Sequence, residues 1–249
     1  MTGKTPQKWL FCGDSITDGE HSRCGDPNHI MGHSFAFMAA AFLGSEFPAA
    51  QIRTYNTAQS GINTERLLSS WEKRVLSIDP DVLTLLAGIN DTNTLFDEDK
   101  TPWQKNRASA KGFAENMRNM LYLAKKRNPR MRILLGVPFY FQVSGLPQYS
   151  SLQYDIEEKN FTLKIRARSQ ANMQEKLQDV ANKQQTVKKL AEDFGALLLD
   201  FPTLFRDAAR KAPIEHWIWD GVHPTVSGHM LMYKYWLHTC LSHGIFDGA

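Results

Sequence analysis

The sequence predicts an α/β protein, a three-layer α/β/α sandwich around a five-stranded parallel sheet. Three observations predict it. Short apolar runs recur along the chain, helical patterns lie between them, and no repeat, low-complexity linker or composition shift breaks the alternation. Strands alternating with helices give parallel strands joined by right-handed crossovers. Residues 1–249 therefore read as a single domain.

The predicted strands are WLFCG (9–13), IRTYNTA (52–58), DVLTLLAG (81–88), MRILLGVP (131–138) and ALLLDFP (196–202). Most are apolar without a break, as strands buried on both faces of a parallel sheet must be. The helices are FAFMAAAFL (35–43), apolar all round; NTERLLSSWEKRVLSI (63–78), amphipathic with a capping Asn/Thr start; QKNRASAKGFAENMRNMLYLAKKR (104–127), apolar near a period of 3.6; QEKLQDVANKQQTVKKLAEDFG (174–195), closed by Gly; and TVSGHMLMYKYWLHTCL (225–241). One stretch departs from the alternation: residues 139–169 form an aromatic-rich, partly polar insertion after the fourth strand.

Bulk composition excludes several function classes. Hydrophobic residues make up 42% and charged residues 22% of the chain, as in an ordinary globular protein able to bury a core. The formal net charge of +3 is too small to imply a nucleic-acid partner, and basic stretches such as KKRNPRMR (125–132) read as solvated helix faces. Three cysteines (Cys12, Cys24, Cys240) without CxxC spacing fit a reducing compartment. No run of eighteen apolar residues suggests a membrane span, and MTGKTPQKWLF holds no apolar stretch of signal length. The expectation is a cytoplasmic protein with no membrane partner.

In an open parallel sheet, ligands bind beyond the carboxyl ends of the strands. The loops there carry Gly13-Asp14-Ser15, then NTAQSG (56–61), then Gly88-Ile89-Asn90-Asp91, and before the last helix WDGVHPT (219–225). Serine-based acyl transfer needs a hydroxyl, a base, a group orienting the base and donors for the oxyanion. Ser15 can supply the hydroxyl and His223 the base, since an imidazole titrates near neutrality. Asp220, three residues before His223, can accept from the ring nitrogen turned away from the serine. The backbone N–H groups of Ser15 and Gly61 and the side-chain amide of Asn90 are candidate oxyanion donors. Taken singly, each block is also ordinary turn or capping chemistry. Taken together they lie in one chain order, each at a different strand end or before the closing helix.

On these blocks the chain resembles the SGNH (GDSL-like) hydrolase family: GDSITDG, NTAQSG, GIND and DGVHP stand in order from residue 13 to 224. The resemblance implies a flavodoxin-like three-layer fold, with Ser15 as nucleophile, Gly61 and Asn90 completing the oxyanion hole, His223 as base and Asp220 orienting it. It implies no metal and no other cofactor. There is no G-x-S-x-G elbow of the α/β-hydrolase type. Arg23 soon after the serine block, SSWEKRVLSIDPDVLTLLAGIND and DGVHPTVSGH resemble the acetylxylan-esterase-like branch, which implies an O-acetylated sugar or oligosaccharide as substrate. The alternatives are a lipase or acyl-thioesterase of the same family and a non-catalytic carbohydrate-binding protein. Relatives often assemble, so a homo-oligomer is a further expectation. Candidate substrate contacts are Asp14, Arg23, His33, Phe139, Tyr140 and Trp219. His21, Cys24, His29 and His33 match no zinc spacing. The aromatics of the insertion, among them Phe139, Tyr140, Phe141, Tyr149 and Tyr154, can either stack a sugar or pack the insertion down.

Overall fold

KWLFCG forms strand β1 (Lys8–Gly13), whose side chains are apolar toward both helical layers. Trp9 and Phe11 enter one core; Leu10 and Cys12 enter the other. The computed structural model describes residues 6–22, 25–96, 110–143, 149–155, 160–165 and 173–247. Along these run the short helix α1 (Ser15–Asp18), α2 (Phe35–Glu46), β2 (Arg53–Asn56), α3 (Thr64–Ser69), β3 (Val82–Leu86), α4 (Ile89–Phe96) and α5 (Ala110–Arg127). There follow β4 (Arg132–Gly136), β5 (Tyr149–Asp155), β6 (Asn160–Ile165), α6 (Met173–Phe194), β7 (Leu197–Leu199), α7 (Phe201–Ala208), α8 (Ile214–Trp217) and α9 (Val226–Ser242).

The main sheet has five strands in the order β2-β1-β3-β4-β7, and every pairing is parallel. This is the doubly wound sheet that the sequence predicts. The alternation of β1 is repeated in β3, where Val82 and Leu86 face one layer and Leu83 and Leu85 the other. Helices α2, α7 and α9 cover the first face through Phe35, Phe201, Phe205 and Trp236. Helices α3, α5 and α6 cover the second through Leu67, Phe113, Met117 and Val187. Thr84 is the polar exception inside β3; the buried indole N–H of Trp236 donates to its Oγ1 at 3.1 Å, which ties α9 to the sheet.

Several boundaries differ from the sequence expectation. The edge strands are shorter, β2 ending at Asn56 and β7 spanning Leu197–Leu199, because they have a neighbour on one side only. The helix expected over 63–78 is broken after Ser69 and resumes as a π-helical turn, Glu72–Leu76. At the break, the Ser70 hydroxyl bonds back to the carbonyls of Arg66 and Leu67 and takes a bond from Arg74 Nε. Helix α7 begins where a strand was expected to end. Asp200 caps it by accepting Thr203 N–H, and Pro202 sits in its first turn, a start signal masked by the apolar run before it. The insertion carries an antiparallel pair, β5 with β6. Arg23, Cys24, residues 104–109 and the rest of 144–172 fall outside the described residues. Among the described residues, no helix is long and apolar enough to cross a membrane.

Candidate active site

Strand β1 lies between β2 and β3, so the chain leaves it to one side and then crosses to the other. That reversal opens a crevice at the carboxyl end of β1. Ser15 follows β1, Gly61 follows β2 and Asn90 follows β3, and all three line one cavity of about 470 Å³ with His223.

The turn that carries Ser15 is set by backbone constraints. A Cβ at Gly13 would lie 2.1 Å from the carbonyl oxygen of Leu86, so only glycine fits where β1 meets the end of β3. Asp14 N–H donates to that same carbonyl at 3.2 Å. Asp14 also caps α1, its Oδ1 accepting Ile16 N–H at 3.1 Å. Ser15 is thereby the first residue of a helix, where the backbone N–H has no intrahelical acceptor. The Asp14 carboxyl is buried and its Oδ2 has no partner among the described residues. Burial raises its pKa to about 7, against a smaller opposing pull from Ile16 N–H and from His223.

Ser15 Oγ and His223 Nε2 are 2.8 Å apart. His223 Nδ1 and Asp220 Oδ2 are 2.9 Å apart. Asp220 is itself fixed, since its Oδ1 accepts the N–H groups of Val222 at 3.0 Å and His223 at 2.9 Å. The loop closes on itself through Trp219 N–H to His223 O at 2.8 Å and Thr225 N–H to Trp217 O at 2.9 Å. Thr225 then caps α9 by accepting Gly228 N–H at 3.1 Å. A chain of hydroxyl, imidazole and buried carboxylate at these distances can move a proton off the serine.

The loop bearing Gly61 is anchored on both sides. Gly61 has φ +75°, a backbone that a side chain would strain. On its N-terminal side, Gln59 N–H donates to Gly13 O at 2.9 Å and Ser60 N–H to Asp18 Oδ2 at 2.7 Å. On its C-terminal side, Asn90 Nδ2 donates to Ile62 O at 3.0 Å. Asn63 caps α3 through Arg66 N–H. Buried Asp91 takes both the N–H of Thr64 and, at 2.6 Å, its hydroxyl. Asn56 of the same block is a hub, donating to the carbonyls of Thr17, Asp18 and Met31 while its Oδ1 accepts Ala58 N–H.

Of the other predicted contacts, His33 and Trp219 line the cavity, and Trp219 is 40% exposed. Asp14 caps the helix that starts at Ser15 and is not among the cavity's residues, and Arg23 is outside the described residues. Phe139 is a correction: it is fully buried, 5.0 Å from Phe205 and 6.4 Å from Phe201 between ring centroids, because it continues β4 straight into the α7 layer. Tyr140 is half-buried against the same core and is not among the cavity's residues. The sequence reading missed Glu20, Ser60 and His229, which also line the cavity. Glu20 and Ser60 sit within or beside quoted blocks, and His229 lies six residues past His223. No local pattern distinguishes them from surface residues. His21 is paired to Asp18 at 2.8 Å and His29 reaches Asp26 at 4.0 Å. Among the described residues, no three His, Cys, Asp or Glu side chains gather as a metal site.

The model of the GDSL-like lipase/acylhydrolase family matches residues 11–231, which spans all four blocks. The chain belongs to this family. An acetylxylan esterase of Geobacillus stearothermophilus is 26% identical over 234 residues, covering 93% of this chain and 92% of the relative. Among solved structures, one described as a GDSL-like lipase from Parabacteroides merdae has a TM-score of 0.71 and 25% identity, covering 95% of this chain and 96% of that one. The structure of Axe2, an acetylxylan esterase from Geobacillus stearothermophilus, has a TM-score of 0.73 at 23% identity, covering 96% of each chain, a likeness of fold. The GDSL-like family and the esterase relative make this chain a hydrolase of the esterase type.

Proposed function

We propose that this protein is a serine esterase that removes acetyl groups from a carbohydrate by way of an acyl-enzyme. The observation that carries the reading is the unbroken series Ser15 Oγ, His223 Nε2, His223 Nδ1, Asp220 Oδ2, with links of 2.8 and 2.9 Å, whose Ser15 and His223 line the cavity.

Ser15 Oγ attacks the ester carbonyl carbon while His223 Nε2 takes the hydroxyl proton. Asp220 holds the proton on Nδ1 and stabilises the imidazolium that forms. The tetrahedral oxyanion lies among Ser15 N–H, Gly61 N–H and the Asn90 amide. Collapse breaks the bond to the alcohol oxygen, which leaves with the proton from His223. Water, deprotonated by the same imidazole, then attacks the acetyl carbonyl, and release of acetate returns Ser15 to its hydroxyl form.

Two features support a short acyl group on a polar alcohol. The cavity wall carries Glu20, His33, Ser60 and His229, a polar lining that a long acyl chain would desolvate at a cost. The exposed indole of Trp219 offers a flat apolar face beside them, suited to a sugar ring. The acetylxylan esterase relative, 26% identical, supports the same substrate class.

The test has two arms. Ser15→Ala should lower turnover of p-nitrophenyl acetate by about 10⁴-fold or more; undiminished hydrolysis removes Ser15 as nucleophile. The parent should prefer acetylated xylose oligomers to octanoyl esters; the reverse preference removes the deacetylase reading in favour of a lipase.

A further inference from the structure

His229 lines the cavity from α9, beside His223. The backbone N–H of Phe35, the first residue of α2, donates to its Nδ1 at 3.3 Å. That N–H has no acceptor within its own helix, so the imidazole completes the helix start. A donor aimed at Nδ1 requires a lone pair there, and a neutral ring then carries its hydrogen on Nε2. Nε2 has no partner among the described residues, which leaves one N–H for the cavity that the residue lines.

We propose that His229 is a specificity residue whose Nε2–H hydrogen-bonds an oxygen on the alcohol part of the ester, so that the site selects esters of sugars and other polyols. The proposal rests on the deacetylase reading above and deepens it. His223 must protonate the departing oxygen, so the alcohol lies on the His223 side of the cavity. His223 and His229 line this same cavity and interact electrostatically, as does His33. A plain alkyl alcohol has nothing for Nε2–H to bond. A sugar brings hydroxyl and ring oxygens to the same place.

The arrangement also keeps the donor constant with pH. Burial, and then the nearness of His33 and His223, pull the His229 pKa down to about 4. The positive end of the α2 dipole opposes protonation as well. Glu20, His33 and His223 are the titratable side chains that share the cavity with it. His229 therefore stays neutral above about pH 5.

The test compares His229→Leu and His229→Gln with the parent on an acetylated xylose oligomer and on p-nitrophenyl acetate. Leu should lower the ratio of kcat/KM between the two substrates by about 10-fold, chiefly through KM for the sugar ester. Gln can take the Phe35 N–H on its carbonyl and donate with its amide, so it should restore most of the ratio. An unchanged ratio in His229→Leu, with the parent active on both substrates, overturns the proposal alone. A parent that hydrolyses p-nitrophenyl acetate but no sugar ester overturns the substrate reading, and the selectivity of His229 with it. Nitrogen–proton correlation spectra of the parent should show His229 protonated on Nε2 and bare on Nδ1 from pH 8 to 5. A hydrogen on Nδ1 overturns the proposal whatever the enzyme hydrolyses.

Discussion

The carboxylate of Asp18 accepts Ser60 N–H at 2.7 Å, so the helix that begins with Ser15 holds the loop that carries Gly61. The other carboxylate oxygen takes the N–H and Nδ1 of His21 at 3.2 and 2.8 Å. One buried side chain thus couples the Ser15 block to the Gly61 loop. Asp18→Ala should lower kcat about 10-fold with a smaller change in KM, and should cost about 1–3 kcal/mol of stability through the orphaned Ser60 N–H. Asp18→Asn keeps one acceptor oxygen and should recover part of kcat. Steady-state kinetics of the two variants decide it: equal kcat in parent and Asp18→Ala would show that the loop holds itself.

Asn90 joins the third block to the second by donating to Ile62 O at 3.0 Å. Asn90→Ala should reduce kcat by about 10²- to 10³-fold while KM stays near the parent value, as for a donor used mainly in the transition state. Asn90→Asp, of equal size but negative, should be worse than Ala because it repels the oxyanion. A rise in KM at constant kcat would assign Asn90 to ground-state binding instead.

The pKa of Asp14, raised from 3.8 to about 7 by burial, makes a prediction about stability against pH. Between those values the folded protein binds a proton that the unfolded chain has released. Stability therefore falls as pH rises from about 4 to about 7. Asp14→Asn removes this slope, so the variant should gain on the parent through that window and keep the gain above pH 7. Asp91, raised to about 6, has the same sign but is present in both proteins and cancels. Urea unfolding from pH 4.5 to 8 reads the difference; parallel curves would mean that Asp14 titrates alike in both states.

Phe139 is a core residue, packed on Phe201 and Phe205. Phe139→Ala should cost about 3–5 kcal/mol of stability. KM for an acetyl ester, measured well below the melting temperature, should not move. A tenfold rise in KM with stability intact would return this ring to the cavity.

Apolar runs bury on two faces wherever they stand in a parallel sheet, so β1, β3 and β4 were legible from composition alone. Local competition was not. The hydroxyl of Ser70 breaks the helix expected over 63–78, and α7 starts where ALLLDFP reads as strand, because Asp200 and Pro202 act on backbone geometry that an apolar count ignores. Phe139 and Trp219 are alike as aromatic side chains after a strand or turn. One faces Phe205 and the other faces the cavity, and only the direction of the chain beyond β4 and the closed loop 217–225 separates them.

By itself the sequence determined the layered fold and the four blocks, since both follow from short-range pattern and chain order. Tertiary structure alone decided the distances that bring Ser15, His223 and Asp220 into one hydrogen-bonded series. It also decided that Asp18 and Asp91 brace the Gly61 loop, and that Phe35 N–H points at Nδ1 of His229. Those facts depend on partners from other strands and helices: Ser60 for Asp18, Thr64 for Asp91, and Phe35 for His229, 194 residues away. A hydrogen bond across that separation leaves no periodicity in the chain, because its geometry exists only once the sheet has brought the loops to one edge.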